Sequence, residues 1–146
     1  MYKKILLAVD DSDAAELALA QAVTVAKAMS AEVKALFVVT QALGSTLTPA
    51  EAATAAIGKR ILEHVRSKME ANGLHYSTEL LEEAGSAAGQ IADTITSEAN
   101  DWEADLIVMG THGRRGIKRM VLGSVSEGVL TQSRIPVLVV RSDFED

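Results

Sequence analysis

Leu106-Ile107-Val108-Met109-Gly110-Thr111-His112-Gly113, followed nine residues later by Gly123-Ser124-Val125, decides the reading of this chain. An apolar run of strand length breaks at a glycine, and a second glycine-serine pair opens a segment with helical periodicity, so the spacing is G-x2-G-x9-G-S. Gly110 and Gly113 are expected to let backbone approach a bound group and to adopt positive φ. Gly123 and Ser124 are expected to offer backbone amides at a helix N-terminus, where amides and helix dipole favour an anion such as a phosphate chain. Glycine spacing alone fits somewhat better a connection that needs glycine only to turn. Its place directly after an apolar strand favours the anion site.

Outward from this stretch, four further apolar runs occur at Ile5–Val9, Val33–Val39, Tyr76–Leu81 and Val137–Val140, separated by segments of helical period. The order predicted is β-α-β-α-β-α-β-α-β. Ala14, Ala18, Ala22, Val25 and Met29 make one helical stripe, Ile57, Ile61, Val65 and Met69 a second, and Ala88, Ile91, Ala92, Ile95 and Ala99 a third; Val125 and Val129 leave a shorter fourth helix. Thr48, Pro49 and Glu51 read as a capping box with proline at the first helical position, and Asn72-Gly73 as the stop of the same helix. Strands apolar at consecutive positions are those of a parallel sheet covered on both faces. The third run alternates and suits an edge. Right-handed crossovers then predict an α/β fold: one three-layer, doubly wound, Rossmann-like sheet of five parallel strands with four helices, forming a single domain over 1–146. Ligands of such sheets sit beyond the carboxyl ends of the strands, where the strand order reverses.

Composition narrows the partners. A formal net charge of -6 and only 3% aromatic residues argue against a nucleic-acid partner, and no apolar run approaches the roughly 20 residues needed to cross a bilayer. With no cysteine and no leader-like N-terminal pattern, a cytoplasmic location is expected. His64, His75 and His112 have no metal-ligand spacing.

The first strand runs into Asp10-Asp11-Ser12-Asp13, carboxylates where a phosphate loop would carry glycine and lysine. Asp10 is better suited to accept hydrogen bonds from ribose hydroxyls. Ser12 or Asp13 is expected to cap the following helix, with Asp13 and Glu16 at capping-box spacing.

At these residues the chain resembles the universal stress protein family, in its ATP-binding branch. The resemblance rests on Tyr2 to Asp10, Leu106 to Gly110, the G-x2-G-x9-G-S spacing, Leu122 to Val125 and Pro136 to Val140, and so covers nearly the whole chain. It implies an ATP-binding regulatory protein of the stress response, not primarily an enzyme, with Mg²⁺ arriving on the nucleotide. It further implies that Asp10 contacts ribose, that Ala8 and the backbone of Val38 flank adenine, and that Met109, Gly110, Gly113, Gly123, Ser124 and Val125 surround the nucleotide and its phosphates. Asp11 departs from the glycine that many relatives carry there. A homodimer through the last strand is expected, since Val137–Val140 would otherwise leave an apolar sheet edge open unless Ser142 to Asp146 shield it.

Two other readings compete. An ATP-hydrolysing or adenylyl-transferring enzyme would need a nucleophile or acid/base pair beside His112, and none is evident; Walker A, G-x-G-x-x-G, H-E-x-x-H and G-x-S-x-G motifs are absent. A dimeric scaffold without nucleotide would not need the glycine spacing. His112, Arg114, Arg115, Lys118 and Arg119 form a basic run that reads equally as phosphate contacts or as a solvated loop, whereas Gly44 within 41–48 fits an ordinary connection better than a hinge.

Overall fold

The computed structural model of the chain describes residues 2–41, 48–84, 88–111 and 123–141. Five strands, β1 (Lys4–Ala8), β2 (Glu32–Gln41), β3 (Tyr76–Ala84), β4 (Leu106–Gly110) and β5 (Val137–Val140), alternate with four helices, α1 (Asp13–Met29), α2 (Pro49–Ala71), α3 (Ala88–Trp102) and α4 (Ser124–Gln132). All strand pairs are parallel and the order is β3-β2-β1-β4-β5, which is the expected doubly wound sheet with β3 at one edge. β1 occupies the centre. Its neighbours pair residue by residue, Ile5 with Val33 of β2 and with Leu106 of β4.

Alternation along the strands divides the core between two faces. Ile5, Leu7, Val33, Ala35, Phe37 and Val108 pack with α1 and α2 on one side, whereas Leu6, Leu36, Ile107 and Met109 pack with Ala92, Ile95 and Ala99 of α3 and Val129 of α4 on the other. Covering on both faces is why β1 from Ile5 onward and all of β4 carry no polar side chain. The helix stripes are partly displaced from expectation. In α2 the buried face is Ala55, Gly58, Leu62, Val65 and Met69, with Ile57 and Ile61 only half-buried at its border.

Helix ends follow local chemistry. The Thr48 side chain accepts from the Glu51 amide at 3.1 Å and the Glu51 carboxylate accepts from the Thr48 amide at 2.9 Å, completing the expected box. At the far end Gly73, with φ of +71°, donates to Glu70 while Leu74 donates back to Met69, a Schellman closure that needs a left-handed residue. α1 departs from expectation: Ser12 is its N-cap, but its hydroxyl makes no capping bond, and Asp13 already lies inside the helix, so no Asp13–Glu16 box forms. Asp11 is not among the positive-φ residues, so the departure from glycine there carries no backbone strain.

The amino ends of the strands are tied by Asp105, whose carboxylate accepts from the Lys3 amide at 2.8 Å and the Lys4 amide at 2.9 Å. Those two amides, Lys3 first, hold its pKa below the ordinary 3.8. A lowered native value means that the unfolded chain binds the proton more readily. The contribution is therefore complete above the ordinary aspartate value and fades as pH falls through it toward the native one. Asp105→Asn is expected to cost roughly 1 kcal/mol at neutral pH. Urea unfolding of the variant should show a shallower loss of stability between pH 5 and acid than the parent; equal slopes would refute the assignment.

Candidate functional site

Because β1 and β4 are adjacent but their helices leave to opposite faces, a crevice must open beyond their carboxyl ends. A cavity of about 190 Å³ lies there, lined by Ala8, Val9 and Asp10 from β1 and its exit, Leu36 and Val38 from β2, Ile91 and Ile95 from α3, Met109 and Gly110 from β4, and Val125 and Ser126 from α4. Its walls are mainly apolar. Asp10 is the one charged residue among the described residues that line it.

Three features give this cleft polar handles. The first is the β2 edge. Glu32 donates to Lys3 and Leu36 accepts from Val9 on the β1 side, whereas Val33 donates to His75 on the β3 side. By that alternation the N–H and C=O of Val38 face the β1 side, yet the β1 register stops at Ala8 opposite Leu36. Val38 therefore presents a donor and an acceptor side by side to the cleft.

The second is the start of α4, with Gly123 in extended conformation as N-cap. The amides of Ser124, Val125 and Ser126 form its first turn and have no acceptor within the helix, and the dipole adds about half a positive charge there. Ser124 is exposed and stands at the rim, while Ser126 is buried and donates to the Gly110 carbonyl at 3.3 Å. That bond ties the end of β4 to the first turn of α4. The third is Asp10, exposed at the β1 exit, whose Oδ1 accepts from the Ser12 hydroxyl at 2.5 Å.

Of the residues singled out from sequence, Ala8, Asp10, Val38, Met109, Gly110 and Val125 line one cavity, and Gly123 and Ser124 stand at the helix end beside it. Gly113 lies outside the described residues, as do His112, Arg114, Arg115, Lys118, Arg119, Gly44 and Ser142 to Asp146. Gly110 needs correction in its reason. It is a strand residue without positive φ; glycine is required because a Cβ would stand 2.6 Å from Cβ of Ala14 and 3.0 Å from its backbone. Val9, Leu36, Ile91, Ile95 and Ser126 were missed as lining residues. Ile91 and Ile95 read as core, which they are, at the end of the stripe that reaches the cleft. Ser126 could have been found, since it lies three residues before buried Val129 on the same helical face.

The chain matches the model of the universal stress protein family over residues 1–141. The chain belongs to the universal stress protein family. Among curated members, universal stress protein MJ0531 of Methanocaldococcus jannaschii is 38% identical over 97% of this chain and 83% of its own length. YxiE of Bacillus subtilis is 33% identical over 97% of this chain and all of its own. Among solved structures, the universal stress protein UspA from Lactobacillus plantarum superposes with a TM-score of 0.78 at 29% identity, covering 96% of this chain and 98% of that one. A universal stress protein from Archaeoglobus fulgidus in complex with dAMP gives 0.68 at 25% identity, covering 95% and 98%. One in complex with cAMP gives 0.65 at 25%, covering 97% and 98%.

Within this family fold, the tight seat of Gly110 against α1 is directly testable. Gly110→Ala is expected to destabilise the protein by about 1–3 kcal/mol, because Ala14 is buried and cannot yield. Adding Ala14→Gly should restore only part of the loss, since the backbone of Ala14 still lies 3.0 Å from the new methyl. Denaturant midpoints of both variants read this out, and a neutral Gly110→Ala would show that α1 moves aside.

Proposed function

We propose that this universal stress protein binds ATP in the β1/β4 cleft and acts as a nucleotide-dependent regulatory module rather than as a catalyst of rapid turnover. The observation that carries the reading is the convergence on one cleft of an apolar slot, a backbone donor–acceptor pair at Val38, a carboxylate at Asp10 and the first turn of α4. The pair at Val38 complements the N1 acceptor and N6 donor of adenine. Apolar surfaces of Ala8, Met109 and Val125 suit its ring faces, Asp10 suits ribose hydroxyls, and the α4 amides with Gly123 and Ser124 suit phosphate oxygens. The relatives in complex with dAMP and cAMP support an adenine nucleotide as the ligand class. Among the described residues no group of three His, Cys, Asp or Glu is placed to hold a metal, so Mg²⁺ would be carried on the phosphates.

The same reading includes a homodimer. β3, one edge of the sheet, carries Glu79 and the exposed Glu82, which oppose strand addition, whereas β5, the other, is Val-Leu-Val-Val and half-buried. Only the β5 edge invites a second copy. Among the described residues no helix is long and apolar enough to cross a membrane.

Calorimetric titration of nucleotide-free protein with ATP and Mg²⁺ tests the cleft. Saturable binding is expected, weakened about five- to tenfold by Ser124→Ala or Asp10→Ala, the effect of one solvent-exposed hydrogen bond. No binding by the folded parent would overturn the proposal and leave a scaffold, while rapid multiple turnover would make the protein an enzyme. For the dimer, the outward amides of β5 belong to Val137 and Val139, because Pro136 and Val140 offer their carbonyls to β4. Val139→Pro removes an outward donor and spares the β4 ladder. Sedimentation should then report a monomer with unchanged far-UV dichroism; a persistent dimer would place the interface elsewhere.

A further inference from the structure

Ser12 occupies the N-cap of α1, where a serine ordinarily accepts from amides of the first helical turn. Here it makes no such bond, and its hydroxyl instead donates to Oδ1 of Asp10 at 2.5 Å. The hydroxyl is thus turned toward the carboxylate, and the first-turn amides have no side-chain acceptor from it. Asp10 has reason to need it. It is exposed on the loop leaving β1 and borders two crevices at once, the cleft described above and a groove between α1 and α2 that carries Arg60 and His64 on its wall. A carboxylate that borders both the cleft and a groove carrying the Arg60 guanidinium can turn toward either, and a hydroxyl donor selects one rotamer.

We propose that Ser12 is a positioning residue that sets the Asp10 carboxylate for the ribose hydroxyls of the bound nucleotide, and so governs discrimination between ribose and deoxyribose forms. This rests on the nucleotide reading of the cleft. A carboxylate offers about four acceptor sites, so the bond from Ser12 leaves capacity for ribose O–H donors. With its rotamer fixed beforehand, Asp10 loses less entropy when a ligand arrives. Ser12 itself lines the α1–α2 groove and not the cleft, so it acts through Asp10 without touching the nucleotide.

The test is a double-mutant cycle read by calorimetry with ATP and with 2′,3′-dideoxy-ATP, using parent, Ser12→Ala, Ser12→Thr, Asp10→Ala and the double variant Asp10→Ala/Ser12→Ala. Ser12→Ala should weaken ATP binding about three- to tenfold and leave dideoxy-ATP within twofold of the parent. Ser12→Thr, which keeps the donor, should restore ATP affinity, and Ser12→Ala should add nothing once Asp10 is alanine. Equal weakening of both ligands, or full ATP affinity in folded Ser12→Ala, would overturn the positioning role while leaving the nucleotide site intact. A parent that binds neither ligand would overturn the cleft assignment, and this inference with it.

Discussion

The whole arrangement depends on one topological constraint: β1 lies in the middle of a parallel sheet, and the chain must leave it in a right-handed crossover on one face and approach β4 from the other. α1 and α2 then cover the face of Leu7 and Phe37, and α3 and α4 the face of Leu6 and Met109. Between the ends of β1 and β4 no helix can fill the gap. The cleft is therefore a geometric product of strand order, and Asp10 on the exit from β1 and Gly110 at the end of β4 are forced to be its walls.

A cleft at the carboxyl ends of the strands is useful only if the helices beside it keep their distance, and small residues set that distance. Gly110 allows α1 to approach β4 at the level of Ala14, which brings the loop of Asp10 and the end of β4 together. On the opposite side, Ser126 fastens the first turn of α4 to the Gly110 carbonyl while Val129 is buried one turn later. One residue thus meets a helix on each side. The amides of α4, the apolar slot and the β1 loop are consequently held in one frame by packing rather than by surface ion pairs such as Arg66 with Glu63, which are exposed and contribute little.

The strands, their parallel arrangement and the edge position of β3 were legible because burial on two faces leaves an unbroken apolar signature, and Thr48-Pro49-x-Glu51 announces α2 through side-chain chemistry that is local in sequence. Six of the nine named site residues share the cavity because motifs at strand ends map directly onto the switch point. What escaped depends on contacts distant in sequence. Gly110 looked like a glycine kept for φ, whereas its neighbour Ala14, nearly a hundred residues away, supplies the reason. Ser12 looked like a helix cap because its position is that of a cap, but its hydroxyl is turned toward Asp10, where it donates to the carboxylate, and accepts from no first-turn amide. Leu36 and Ile91 were correctly apolar, and no one-dimensional pattern separates the core end of a stripe from its cleft end.

The cleft's two ends differ in a way that bears on the proposed ligand. At about 190 Å³ its described walls enclose less than the roughly 300–1,000 Å³ that receives a whole small molecule, and they are apolar except for Asp10 and Ser126. A planar base with part of a sugar matches that space, and a phosphate chain must extend past Val125 toward the α4 N-terminus, where Ser124 is exposed. In the proposed reading, base identity is therefore read by fixed backbone groups inside, and phosphate number outside by amides in contact with solvent. Water screens the outer interactions and leaves the inner ones at full strength. Recognition of adenine over guanine should consequently resist added salt, because the Val38 pair is neutral and sheltered. The preference among mono-, di- and triphosphate should decline with ionic strength, since each added phosphate is sensed as charge at an exposed helix end.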